Sequence, residues 1–282
     1  MAKLFSFRFD VDTHRCVREG MPALVRLGDR LGVPFTFFVN MGRAVSRRGF
    51  VRGFLRSDGP SDVAAKLSAR TKLGSSGYLR AALLNPLVGA GSPDIIRSAI
   101  ASGHEVGLHG GRNHAEWQSH APDWASERVA AEVDAVLPRL HSLIGPERVV
   151  GFASPGWATP PALCEVLVER GFEYVADDHG PRADRISPAG AAVCGLRSVH
   201  TALTGEPGGV AYLEHLVALG MGNEAIVARF REELLAAGNQ VVVYDHPYFA
   251  GLEALHLVEA LVGEARDAGY EIVPVATIAR AA

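Results

Sequence analysis

Three cysteines in 282 residues, Cys16, Cys164 and Cys194, are too few and too scattered for a disulfide framework or a zinc knuckle. Such sparse use of cysteine suits a reducing compartment, so a cytoplasmic location is expected. Long apolar runs are missing too, none reaching the roughly 18 residues that a membrane-spanning helix needs. Residues 1–7 lack the layout of a signal peptide and lead straight into strand-like sequence. There is no surplus of basic charge. Lys and Arg number 28 against 31 Asp and Glu, a net charge of −3, which argues against a nucleic-acid binder. Repeats and low-complexity tracts are likewise absent. What remains is a chain of ordinary globular composition, 48% hydrophobic, long enough for one large α/β core. A single domain over 1–282 is expected, carrying a basic insertion at 43–92.

The most informative stretch lies near the N-terminus. Phe5, Phe7 and Phe9 alternate with Ser6 and Arg8, the period of a half-buried strand. The pattern ends at Asp10 and Asp12, which an extended backbone directs to one face. Two crowded carboxylates at a strand end repel unless a cation or a shared proton relieves them. The plain reading of an isolated Asp-x-Asp is a solvated turn, and only the later strands shift it toward metal-assisted hydrolysis.

Those strands alternate with helices. Strand patterns are read at 34–39, 105–109, 149–153, 172–176, more weakly 191–196, then 240–244 and 271–275. Helices are expected at 24–31, 94–100, 126–144 with Pro138 as a kink, 161–170, 223–237 capped by Asn223, and 252–268. This alternation points to a parallel α/β barrel. Asp10, Asp12, His109, Pro155-Gly156-Trp157, Asp178 and His246 then all fall at C-terminal strand ends, the rim on which such barrels build active sites. His104, His120, His141 and His200 read as surface or packing histidines.

At these residues the chain resembles the polysaccharide-deacetylase (NodB-homology) family, metal-dependent enzymes that remove N-acyl groups from amino sugars. Residues 8–13 are similar to its first motif and residues 103–109 to its second, with Asp178 and His246 at the positions of later ones. A closer likeness is to one branch, the 4-deoxy-4-formamido-L-arabinose-phosphoundecaprenol deformylases of lipid A modification. It is carried by Asp10-Val11-Asp12-Thr13, Arg18-Glu19-Gly20, Asn40-Met41-Gly42-Arg43, Asp94-Ile95-Ile96-Arg97 and Gly156-Trp157. The resemblance implies a distorted (β/α)7-8 barrel of the NodB-homology type and one divalent metal ion (Zn, Mn, Co or Ni). It implies Asp12 and His109 as metal ligands, Asp10 as general base, His246 as proton donor to the departing amine, and Asp178 tuning that histidine. Arg18, Glu19, Pro155, Gly156 and Trp157 become substrate contacts, with backbone N–H groups near Gly156 and Trp157 facing the oxyanion.

One motif departs from the family. Its second motif is His-x-x-x-His, but Asn113 stands at the expected position and His114 follows it. His114, five residues after His109 and one beyond the usual spacing, is the expected third ligand, brought round by the flexible Gly110-Gly111. The alternatives are Asn113 as a weak oxygen ligand, or no tight metal site.

Within the insertion, residues 43–80 hold nine Lys and Arg against two Asp, a local charge of +7. Apolar Phe50 and Phe54 sit among Arg47, Arg48 and Arg52 at near-helical spacing, which reads as a peripheral contact with an anionic inner-membrane surface. A solvated charged lid is the plainer alternative. The expected function is removal of an N-formyl or N-acetyl group from an amino sugar linked to undecaprenyl phosphate. The rivals are a deacetylase of a soluble or nucleotide-linked amino sugar, and a metal-free sugar- or lipid-binding protein on the same barrel.

Overall fold

The computed structural model describes residues 2–45, 84–179, 195–206 and 209–281. Among them, eight parallel strands form one sheet: β1 (Leu4–Val11), β2 (Thr36–Val39), β3 (Glu105–His109), β4 (Gly151–Ala153), β5 (Tyr174–His179), β6 (Arg197–Thr201), β7 (Gln240–Asp245) and β8 (Glu271–Ile272). The order is β6-β5-β4-β3-β2-β1-β7, with β8 added to the start of β1. Leu203, just beyond β6, makes a parallel bridge to Val243 of β7 and nearly closes the ring. The result is the expected distorted (β/α)7-8 barrel.

β1 is the hub, paired with β2 on one side and β7 on the other. Its alternation separates two interiors rather than core from solvent, because every residue of the strand is buried. Phe5, Phe7, Phe9 and Val11 pack outward into the layer beneath the helices, where Phe9 stacks on Phe37 at 5.6 Å between ring centres. Burying such a ring stabilises by roughly 2–3 kcal/mol. Ser6, Arg8 and Asp10 face the barrel interior. The expected half-buried strand is therefore corrected to one buried on both faces, as a parallel strand covered by helices must be.

Helices occupy Met21–Leu31, Pro93–Ala101, Leu163–Val168, Asn223–Ala237 and Leu255–Asp267. The long helix expected over 126–144 is two, Ser126–Asp134 and Leu137–Ile144, with Pro138 in the first turn of the second. Proline lacks the N–H that a continuous helix needs there but suits a helix start. The cap of Asn223–Ala237 is Gly222 rather than Asn223. The sixth strand begins at Arg197, after the expected 191–196, of which 191–194 lie outside the described residues.

Expected strand 271–275 stops at Ile272, and a helix, Val275–Ala281, follows. Val275, Ile278 and Ala279 pack with Leu4, Phe38, Tyr174 and Val242 at the N-terminal end of the barrel. Thr36 Oγ1 accepts from the Val275 N–H and Glu105 Oε2 from the Ala276 N–H, satisfying the first turn of this plug. Polar chemistry is left to the opposite rim. Of the basic insertion, Arg47, Arg48, Phe50, Arg52 and Phe54 lie outside the described residues.

Candidate active site

Asp12 sits one residue beyond β1. Its Oδ1 lies 3.2 Å from Nε2 of His109 and 3.2 Å from Nε2 of His114, and its Oδ2 lies 3.2 Å from Nε2 of His246. His109 ends β3, and its Nδ1–H donates to the Ala153 carbonyl at 2.9 Å, which turns the Nε2 lone pair toward Asp12. His114 opens the helix His114–His120. Between the two imidazoles the chain reverses through Gly110 at φ +70, a conformation that costs glycine nothing. Although burial alone would raise it, the close imidazoles of His114, His246 and His109 hold the Asp12 carboxyl well below the usual carboxylate range. His109 is pushed the other way: burial works to lower it, but Asp10 and Asp12 raise it.

The donor set fits a divalent cation. One carboxylate oxygen and two imidazole nitrogens lie within 4.8 Å of one another. Among the described residues, Asp12 Oδ1 and His114 Nε2 are buried without a hydrogen-bond partner, an arrangement that a shared cation would relieve. Two histidines and one carboxylate leave open positions for water and substrate, as catalytic sites of this type require. Asn113 is placed elsewhere. Its side-chain oxygen accepts from the Glu116 N–H and caps the helix that His114 begins. So the expected third ligand, His114, meets Asp12, while the alternative, Asn113, does not.

Asp10 lies on the same face of β1, its Oδ2 3.9 Å from His109 Nε2. Both of its oxygens are engaged by Arg8, Nε to Oδ1 at 3.0 Å and Nη2 to Oδ2 at 2.9 Å. Arg8 is fully buried and spans the barrel interior, donating to the Ala176 carbonyl and to Thr201 Oγ1. Its guanidinium lies over the rings of Trp157, Phe38 and Tyr244 at 4.4, 5.1 and 5.3 Å. Sequence reasoning missed Arg8 as a site residue. The signal was present: period two puts Arg8 on the face of Asp10.

His246 follows β7. Its Nδ1 lies 2.6 Å from Glu214 Oε1, and Tyr248 donates to the other carboxylate oxygen at 2.7 Å. Tyr244 OH lies 3.0 Å from His246 Nε2. The neighbour of His246 is thus Glu214, on the helix Tyr212–Ala218, and not Asp178. Asp178 Oδ2 instead lies 3.3 Å from His200 Nδ1 on the neighbouring strand. The β5–β6 register shifts between Val175 and Asp178, and as neighbours on a strand the carboxylates of Asp177 and Asp178 meet different partners. Nothing near Glu214 in sequence marks it, because its partner is 32 residues away.

Asp177 builds the rim beyond β4. It accepts from the Ser154 N–H at 2.7 Å and from Thr159 Oγ1 at 2.8 Å, bracketing Pro155-Gly156-Trp157. Gly156 and Trp157 both have positive φ, +58 and +60. For tryptophan that conformation costs about 1–3 kcal/mol, offset here by its indole N–H bond to the Gly209 carbonyl and its seat over Arg8. Trp157 is half-buried. Its backbone N–H donates to the Ser154 carbonyl, which removes that N–H from the oxyanion role expected of it. Arg18 and Glu19 are exposed on the π-helical turn Cys16–Gly20, where Arg18 Nε donates to Ser92 Oγ at 3.3 Å.

The sequence model of the polysaccharide deacetylases matches residues 2–175. Over 181 residues the chain is 30% identical to a 4-deoxy-4-formamido-L-arabinose-phosphoundecaprenol deformylase, ArnD, of Shewanella sediminis (strain HAW-EB3), a match covering 61% of this chain and 56% of that protein. The chain thus spans little more than half the length of that relative. A polysaccharide deacetylase from Mycobacterium smegmatis superposes with a TM-score of 0.61 at 16% identity, over 99% of this chain and 90% of that one. A family 4 carbohydrate esterase from Streptomyces lividans, solved with acetate, gives 0.53 at 12% identity, over 96% and 91%. At these identities the structural likeness speaks for the fold alone.

Proposed function

The chain belongs to the polysaccharide deacetylase family, hydrolases of carbon–nitrogen bonds, and from that premise we propose that it removes an N-formyl or N-acetyl group from an amino sugar carried on undecaprenyl phosphate. The observation that carries the reading is the meeting of Asp12, His109 and His114 between Asp10 on one side and His246 on the other. The formyl group and the polyprenyl carrier are supported by the name of the Shewanella relative.

Asp12, His109 and His114 would hold one divalent cation, zinc, manganese, cobalt or nickel, which when bound lowers the pKa of a water and polarises the amide carbonyl. Asp10 acts as general base toward the attacking water. Its bidentate pairing with Arg8 fixes the carboxylate plane and leaves a lone pair on each oxygen to receive the proton. His246 protonates the departing amine through Nε2, while Glu214 accepts from Nδ1–H and holds the ring in place. Glu214 thereby takes the tuning role expected of Asp178. Trp157 offers its ring to the sugar. Peripheral contact with an anionic membrane through the basic insertion belongs to the same proposal, because a polyprenyl-linked substrate stays at the bilayer. No helix among the described residues is long and apolar enough to cross a membrane.

The test offers metal-loaded protein the undecaprenyl-phosphate-linked sugar, N-formylated or N-acetylated, and a nucleotide-linked analogue, and measures release of formate or acetate. Release from the lipid-linked substrate, lost in Asp10→Asn while metal stays bound, is the expected result. Turnover of the nucleotide-linked sugar alone would replace the carrier assignment. No release from any of them would leave a binding protein. Co-sedimentation with vesicles that shows no preference for anionic lipid would remove the membrane contact.

A further inference from the structure

The two imidazoles that meet Asp12 are held by different means. His109 is fixed by its strand and by its own ring N–H. His114 stands beyond the permissive Gly110-Gly111 turn, and its Nε2 has no hydrogen-bond partner among the described residues. Its position therefore comes from the backbone around it. We propose that Asn113 is the positioning residue for His114, tying the first turn of its helix to the base of the insertion. The inference rests on the reading of Asp12, His109 and His114 as a metal site.

Both ends of the Asn113 side chain are engaged. The oxygen caps the helix at the Glu116 N–H, 3.1 Å away, and the Nδ2–H donates to the Val45 carbonyl at 2.9 Å. The same carbonyl receives the side-chain amide of Asn85 at 2.7 Å, from the far end of the insertion. Arg43 completes the knot: its N–H donates to the Arg112 carbonyl at 2.8 Å, and its carbonyl accepts from the His114 N–H at 2.9 Å. Arg43 also bridges Leu87 on the returning chain. Close approach is built in, since a Cβ on Gly42 would lie 2.3 Å from the Gly111 carbonyl and 2.4 Å from that of Arg112. The chain entering the insertion, the chain leaving it and the His114 turn are thus one hydrogen-bonded unit with Asn113 at its centre. Supporting groups of this kind commonly contribute about 10–100-fold to metal affinity.

The experiment titrates Co(II) into the full-length chain and into Asn113→Ala and Asn113→Ser, reading affinity and the d–d absorption spectrum. Serine is as good a helix cap as asparagine but offers no amide to Val45. Both variants are expected to bind Co(II) about tenfold or more weakly, with a changed spectrum, alanine being the weaker binder. Wild-type affinity and spectrum in both would overturn the proposal. So would a serine variant indistinguishable from wild type beside a weakened alanine variant, since capping alone would then suffice. A wild-type chain that takes up no Co(II) would overturn the metal-site reading, and this inference with it.

Discussion

Replacing Arg8 with methionine tests whether the barrel interior is organised around a charge. Methionine keeps a flexible apolar stem among Phe38, Trp157 and Tyr244 but leaves Asp10, whose side chain is 5% exposed, without its bidentate partner. Breaking a buried ion pair from one side costs about 3–5 kcal/mol, because the remaining charge is stranded. In a domain somewhat smaller than this one each kcal/mol moves the midpoint by about 2–4 °C, so a fall of about 6–20 °C is expected in thermal melts. The Ala176 carbonyl and the Thr201 hydroxyl lose a donor too, but a neutral acceptor costs less than a stranded carboxylate. The decisive variant is therefore the double one, Arg8→Met with Asp10→Asn. Removing the charge left behind should return about 2 kcal/mol or more, measured as coupling in a double-mutant cycle by urea unfolding. An Arg8→Met protein losing less than about 1 kcal/mol, or a double variant whose losses simply add, would refute the account of Arg8 and Asp10 as one buried unit.

Glu214→Gln should lower kcat about 10–100-fold with little change in KM, since the neutral amide no longer favours the His246 orientation that delivers a proton; an equal fall for Asp178→Asn would restore the sequence-based assignment. Asp12→Ala should abolish uptake of divalent metal by equilibrium dialysis, and a full equivalent retained would exclude the proposed ligand set. Chelation should lower the melting midpoint of loaded protein and re-addition of metal restore it, because binding to the folded state alone adds to stability. His104 supplies a pH test away from the site. Burial lowers its pKa below the usual 6.5, and its Nδ1 accepts from the Phe35 N–H at 2.9 Å. As pH falls through about 6.5 the unfolded chain takes up a proton that the folded chain refuses, so stability declines from there toward the lower folded pKa. His104→Asn keeps an acceptor and removes that decline, flattening stability between pH 7 and 5 by up to about 1.4 kcal/mol per pH unit. An unchanged slope would mean His104 is protonated in the fold.

Much of the barrel was legible because its strands are local signals. β3 spans the expected residues, and β1, β2, β4, β5 and β7 differ from expectation only at their ends. Two elements were not legible for a shared reason. β6, Arg-Ser-Val-His-Thr, carries only one large apolar residue, and its place is set by pairing with β5 across a bulge. The Val275–Ala281 helix was not expected, since the reading ended on a strand at 271–275, yet its first N–H groups are met by Thr36 and Glu105 from remote strands. Tertiary partners decide both, and a single pass along the chain does not contain them.

The site divides along the same line. Asp10, Asp12, His109, His114 and His246 were named from strand ends and from motif likeness, and the structure gathers them. What the sequence concealed is what sits behind each of them. Arg8 was hidden by a mistaken exterior: a face carrying serine, arginine and aspartate reads as solvent-facing, whereas in a barrel it is the other interior. Glu214 was hidden by distance, and Asp178 stood in for it because it follows the strand expected at 172–176, although β5 runs on through it. Asn113 was hidden by being judged as a ligand when its work is to cap a helix. In each case the proposed reacting group was legible from where the strand ends, while its support came from elsewhere in the fold. Substitutions at Asp12 should therefore remove function outright, whereas those at Glu214 and Asn113 should grade it, and that difference in steepness is the measurable sign that the two sets play distinct parts.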